Sequence, residues 1–368
     1  MPVASAPDRD GAGPGGAPPG PRVKLPGRRH GGLPATTALV VLGLLALALS
    51  MAFTITIGPA QLGVGDVYRV LFDKIGIGSS GVSAIREGIV WQLRLPRTLL
   101  AAICGAGLAV CGVIMQSLLR NPLADPFVLG ISSGASTGAV LVAVLGVGGG
   151  VISLSAGAFA GALTSFALVL LLAAGAGGGT AKVVLAGVAG TQLFSALTSF
   201  IVLSSADAER TRGVLFWLLG SLAGASWTDV QITALVTAAG LLVCWWYASA
   251  LDAFTFGSAA AASLGIAVGR TRLVLLVVTA LITAVLVSAA GAIGFVGLVL
   301  PHAARFLVGP RHARLLPVTT VLGAVLLVWV DTLARTVFSP QEVPVGVVTA
   351  LIGVPAFGLL LFRTRTTA

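Results

Sequence analysis

The sequence predicts an all-α, polytopic membrane protein of about ten transmembrane helices. Of its 368 residues 57% are hydrophobic and only 9% are charged, whereas a soluble domain of this size needs about a quarter charged residues to cover its surface. Mean hydropathy is +1.03. Apolar runs of about 20 residues, the length that crosses roughly 30 Å of hydrocarbon, recur down the chain between polar or Gly/Pro-marked breaks. The 49 glycines suit helices that pack closely in lipid, where small residues let backbones approach.

Residues 1–34 stand apart. They are dense in Gly and Pro, carry Arg22, Lys24, Arg28 and Arg29, and hold too few apolar side chains to fold. We read them as a disordered basic tail and residues 35–368 as one transmembrane domain. The tail is no signal peptide, because the span after it is too long for an h-region and no good cleavage site follows. Its main expected role is to fix orientation.

Span 1 is expected over 35–57. A polar stretch follows, with a short amphipathic helix around 67–72. Span 2, about 95–119, opens beside Arg94 and Arg97, which share a helix face. From Thr98 to Leu119 the run carries no acid, Lys, Arg or His. Arg120-Asn121-Pro122 turns the chain into span 3, about 127–145, so spans 2 and 3 form a hairpin. Gly146–Gly150 is a tight turn into span 4 (151–174), and span 5 covers 183–203. The apolar segment 214–222 is too short to cross. Span 6 covers 230–247, span 7 273–290, span 8 294–307 with Pro301 inside it, span 9 315–330 and span 10 345–362. Residues 291–294 read equally as a turn or a kink. Cys104, Cys111 and Cys244 fall within spans and read as small packing residues, since the first two lie seven apart and no His or carboxylate completes a ligand set.

Orientation follows the distribution of Lys and Arg. With the N-terminus inside and ten spans, fourteen Lys/Arg face inward and eight outward, while four acids lie inside and eight outside. The inner face carries +10 and the outer face none. Both termini are therefore expected in the cytoplasm.

Function is bounded first by what is missing. No span has an acid, Lys, Arg or His near its middle, whereas proton- and voltage-coupled carriers place ionisable groups there. The three histidines form no ligand set, and no G-x-x-x-x-G-K-[ST] phosphate loop occurs. Nothing in the chain calls for a cofactor, a metal or a nucleic acid. The chain is not expected to be an enzyme, and energy for uphill transport would have to come from a partner.

Two regions read as partner surfaces. The loop 250–272 is long and nearly uncharged between Asp252 and Arg270. It reads as a short helix over 259–263, a glycine turn at Gly265 and a second helical turn. Docking to a partner is favoured over resting on lipid, because a surface-lying helix wants basic and bulky apolar residues. At the outer side, Arg94, Arg97 and Arg335 stand at span ends. Guanidiniums suit carboxylates of an acidic partner and equally suit lipid headgroups, and chemistry alone does not choose.

The segment RLPRTLLAAICGAGLAVCGVIMQSLLRNPLADPFVLGISSGAS, which carries Gln116, Asn121 and Pro122, closely resembles the hallmark segment of FecCD/BtuC-type permeases of bacterial ABC importers. GAIGFVGLVLPHAARFLVGPRHARLLPVTTVLGAVLLVWVDTLART, with Pro301 and His302, resembles that family's C-terminal signature and is continued by EVPVGVVTALIGVPAFGLLL. The likeness runs from about residue 35 to 362. It implies a permease in the cytoplasmic membrane, paired with a second copy or a paralogue, above two ATP-binding subunits and below an extracytoplasmic binding protein. Family members import ferric siderophores, cobalamin or haem; the first is the leading expectation on family frequency alone, and a stand-alone secondary carrier is the competitor from another class. The resemblance also implies residue roles. Arg94, Arg97 and Arg335 match arginines that in the cobalamin member face acidic residues of the binding protein. Asp252, Ala259, Ala262, Leu264 and Gly265 match the segment that enters the ATPase. Thr180 matches an inner gate, where Ala181 replaces the family's serine and keeps its small size.

Overall fold

Fifteen α-helices and no strand make up the described part of the chain. A computed structural model describes residues 33–58, 62–78, 81–205, 207–339 and 341–365. Apart from residues 33 and 34, the basic tail lies outside them.

Helix α1, Leu33–Thr54, leads to an outlying pair, α2 (Val64–Lys74) and α3 (Ala84–Gly88). A single π-helical stretch, Ile89–Arg94, joins α3 to α4 (Leu95–Leu118), so one helix runs for 35 residues. Pro96 sits in the first turn of α4, where its missing N–H costs nothing. The 24 residues of α4 span about 36 Å at 1.5 Å per residue. Arg120 ends the helix in the left-handed region at φ 48°, and Asn121 Oδ1 accepts the Leu123 N–H at 2.9 Å, closing the expected turn. A 3-10 turn, Pro126–Leu129, then leads into α5 (Ile131–Ala143).

Next come α6 (Leu154–Gly175), α7 (Thr180–Leu203), α8 (Ala208–Leu218) and α9 (Trp227–Trp246). Two short helices, α10 (Ala248–Phe254) and α11 (Ser258–Ser263), precede α12 (Val268–Ala290), α13 (Val296–Val308), α14 (His312–Thr336) and α15 (Val345–Arg365). Seven helices are long and apolar enough to cross a bilayer, and α5, α13 and α15 add three shorter apolar ones. These ten are the ten spans of the sequence.

Helix α4 is the axis, buried along nearly its whole length and packed against α9, α12, α13 and α14. Helices α5, α6 and α7 form a second group, which α12 joins to the first. On the outlying pair, ion pairs Arg86–Asp66 (3.0 Å) and Lys74–Glu87 (2.6 Å) tie α3 to α2 above a small core of Ile55, Val67, Val70 and Val90. Those pairs are partly exposed to solvent and contribute little, so the apolar core holds this platform.

At three places the structure settles or changes the sequence expectation. The break after span 7 is an unwound segment, with α12 ending at Ala290 and α13 starting at Val296. Gly291 (φ 68°) and Phe295 (φ 66°) shape it, and a Cβ on Gly291 would sit 2.2 Å from the Trp217 carbonyl oxygen. The freed Ala290 carbonyl accepts the Ser221 N–H at 2.8 Å, satisfying backbone that would otherwise be orphaned. Second, α14 continues to Thr336 rather than stopping at Val330, taking Asp331 and Arg335 into the helix. Third, the loop 250–272 has no separate helical turn after Gly265. Gly257 (φ 104°) separates α10 from α11, and Gly265 (φ 81°) turns the chain towards α12.

Asp125 opens the 3-10 turn by accepting the Phe127 N–H at 2.8 Å. Burial nevertheless pushes its carboxyl up from 3.8 to about 6. A raised carboxyl favours the protonated folded state, so its contribution is best below pH 3.8 and falls as pH rises towards 6. Asp125→Asn keeps the acceptor and removes the charge. It should raise stability at pH 7.5 by about 1–3 kcal/mol, with the gain shrinking by pH 4.5. Thermal unfolding of the detergent-solubilised protein at both pH values tests this, and a gain independent of pH would refute it.

Candidate functional site

Polar side chains gather at two opposite ends of the α4 axis. At the Arg94 end, Arg94, Arg97 and Arg335 come together with Glu342 around a cavity of about 380 Å³, walled also by Ile89 and Ala223. Each guanidinium is engaged within the chain. Arg94 Nη1 donates to the carbonyls of Ile55 (2.9 Å) and Thr56 (3.0 Å). Arg335 donates to the carbonyls of Thr54 (2.8 Å) and Ile57 (3.1 Å). These four carbonyls lie at and just past the end of α1, where helix carbonyls lack partners.

Arg97 is the hub. Its Nε donates to Asp331 Oδ1 at 2.9 Å, and its Nη1 donates to Glu342 Oε2 at 2.9 Å and Oε1 at 3.1 Å. Asp331 is 1% exposed. Arg335 Nε stands 3.6 Å from Asp331 Oδ2, close enough for an ion pair but too far for a hydrogen bond. Three guanidiniums and two carboxylates therefore meet at this end of α4. Arg94 and Arg335 are only 6% and 4% exposed, so they do not project as a surface ring. Beside the cavity, the Trp91 and Trp227 rings lie 4.9 Å apart and Trp227 Nε1 donates to the Trp91 carbonyl.

At the Arg120 end, a second cluster joins four helices. Gln116 on α4 accepts from Arg305 Nη1 and donates weakly to the Gly297 carbonyl at 3.3 Å. Its neighbour Ser117 contacts His312 Nε2 at 2.6 Å, and His312 Nδ1 lies 2.6 Å from Asp252 Oδ1. His302 on α13 is bound to the Leu298 carbonyl at 2.8 Å, and Pro301 is buried in the same helix. Asp252 thus faces back into the bundle through His312. The outward surface of α10 and α11 is small or apolar: Ala259, Ala262 and Gly265 are exposed, as are Phe256 (80%) and Leu264 (71%). Thr180 and Ala181 begin α7, after three successive glycines with positive φ. Asn121 and Pro122 are exposed in the hairpin turn.

The pairing of Arg97 with Asp331 and of His312 with Asp252 leaves no local pattern in the sequence, since the partners lie 234 and 60 residues apart. Among the described residues, no group of three or more His, Cys, Asp or Glu is arranged to hold a metal ion.

A family model described as the FecCD transport family matches residues 44–363. The cobalamin import system permease protein BtuC of Halobacterium salinarum is 44% identical over 286 residues, covering 77% of this chain and 76% of that protein. The iron(3+)-hydroxamate import system permease protein FhuB of Bacillus subtilis is 36% identical over 329 residues, covering 89% and 83% respectively. A solved structure of a metal-chelate type ABC transporter in an inward-facing conformation superposes with a TM-score of 0.77 at 30% identity, covering 89% of this chain and 99% of that one.

Proposed function

The chain belongs to the FecCD transport family, and we propose that it works as the membrane-spanning permease of an ATP-driven importer of bulky metal chelates, with a ferric siderophore as its cargo. The observation that carries this is the family match across nearly the whole chain. Supporting it, the sequence lacks a phosphate loop, so hydrolysis belongs to separate ATP-binding subunits. Spans without central charges suit a passage that gives way as a whole rather than one that titrates.

In this reading the two polar ends do different work. The cavity at the Arg94 end, lined by three arginines, faces outward and receives acidic groups of a binding protein. Exposed Ala259, Ala262, Leu264 and Gly265 fit into an ATPase at the inner face, and Thr180 and Ala181 narrow the inner exit. A second copy or a paralogue completes the passage, and both termini are cytoplasmic. The ferric-siderophore assignment leans on the likeness to the hydroxamate permease over 89% of the chain. Cobalamin is the second reading, favoured by the 44% identity to the cobalamin permease.

The test is uptake into vesicles holding the chain with its ATPase, supplied with its binding protein. Uptake of ferric hydroxamate but not cyanocobalamin, only with ATP inside the ATPase-bearing compartment, is expected. Cyanocobalamin uptake alone would transfer the assignment to cobalamin. Uptake by the chain without ATPase or ATP would replace the importer reading with a secondary carrier.

A further inference from the structure

Asp252, His312 and Ser117 form one continuous hydrogen-bonded line from the short helix α10, through the first residue of α14, to the last turn of α4. Asp252 Oδ1 accepts the His312 backbone N–H at 2.8 Å and lies 2.6 Å from Nδ1 of the same residue. It therefore caps α14, where an acid also meets the positive end of the helix dipole. On the far side of the ring, Nε2 is 2.6 Å from Ser117 Oγ, which is also 2.9 Å from the Val113 carbonyl. His312 is 2% exposed and Ser117 7%. Next to Ser117, Gln116 holds Arg305 of α13.

We infer that His312 is a positioning residue that couples α10 to the bundle, carrying a displacement of the loop 250–272 into α4 and α13. Three features support this beyond simple packing. An imidazole is rigid and bonds at opposite edges, so it transmits both push and pull, which apolar contacts of α10 do not. Its two partners come from elements with different freedom: α10 belongs to a connecting loop, and α4 is the buried axis. The line then branches at once, because consecutive residues 116 and 117 serve α13 and α14. The order Ser–His–Asp does not make a hydrolase, since Ser117 is buried within a helix and no substrate carbonyl can reach it.

The inference rests on the importer reading and assigns Asp252 a different task from its neighbours: Ala259, Ala262 and Leu264 touch the ATPase, while Asp252 passes the movement on. The experiment measures ATP hydrolysed and probe taken up in the same reconstituted vesicles, using ferric hydroxamate or cyanocobalamin, whichever the wild type imports. His312→Ala should leave hydrolysis within about twofold and cut uptake about tenfold, within the usual range of coupling between sites. His312→Gln, whose amide can bond at both edges, should recover most of that loss. Ser117→Ala removes one hydrogen bond and should raise ATP per probe by about threefold. An unchanged ratio in His312→Ala, or parallel loss of both activities without recovery in His312→Gln, overturns the inference. If His312→Ala does not assemble, Ser117→Ala decides, and a wild-type ratio there overturns it as well. A wild type that shows no ATP-driven uptake would instead remove the importer reading.

Discussion

Replacing Arg97 with alanine is expected to cost the fold about 3–5 kcal/mol, the usual penalty for stripping one partner from a buried ion pair. Arg97 is the main counter-charge of Asp331, which is 1% exposed and whose other cation, Arg335, is 3.6 Å away. Removing it leaves the buried Asp331 carboxylate with only the longer ion pair to Arg335 and no hydrogen-bonded counter-charge. It also releases Glu342, and with it the lead-in to α15. Arg97→Lys should recover only part of the loss, because one ammonium cannot reproduce the donors that the guanidinium fork points at two carboxylates. The double change Arg97→Met with Asp331→Leu should be far milder than Arg97→Ala, since removing both charges removes the desolvation penalty too. Thermal unfolding of the wild type and the three variants checks this. Equal losses in Arg97→Ala and the double variant would show that the ion pair is not what holds this end together. The same geometry complicates charge reversal at this site: Arg97→Glu would crowd three carboxylates, so lost uptake in that variant cannot by itself be read as lost docking.

Hydropathy and turn chemistry made the ten spans legible, because a bilayer demands length and apolarity and both are local properties. The hairpin at Arg120-Asn121-Pro122 was legible for the same reason, its Asx turn and Pro lying adjacent in sequence. Asp331 was misplaced into a loop because a hydropathy window stops at a charge. The helix continues because Arg97, 234 residues away, neutralises it. Likewise, Arg94 and Arg335 read as span-end arginines suited to a partner's carboxylates or to lipid headgroups, whereas both also donate to the carbonyls at the end of α1, contacts that no periodicity encodes. His312 carries no signal in the sequence beyond being one of three histidines that form no ligand set. Its partners on α4 and α10, and hence any part it plays in coupling, exist only in the folded chain.

Glycine count suggested close packing but not which glycines matter, and here the structure makes the second large prediction. Gly105 and Gly112 lie seven residues apart on α4. A Cβ on Gly105 would stand 2.0 Å from the carbonyl oxygen of Gly323 on α14, and one on Gly112 would stand 1.8 Å from that of Gly297 on α13. Both obstacles are backbone, so no side chain can swing aside, and the helices must part. Parting would also loosen Leu327 and Ala109, which pack at the Gly105–Gly323 contact. Gly105→Val and Gly112→Val should each cost at least about 3 kcal/mol, the upper end for overpacking, and sharply reduce the folded yield. Gly213 on α8 and Gly269 on α12 have nothing within 4 Å of a Cβ and no positive φ. Alanine there should be neutral or stabilise by up to about 1 kcal/mol, because it is the better helix former. Size-exclusion yield and thermal unfolding of the four variants separate the two classes. If the α4 variants unfolded like the surface pair, the close α4–α13 and α4–α14 approaches would be wrong, and the node that joins Gln116 and Ser117 to their partners would lose its footing.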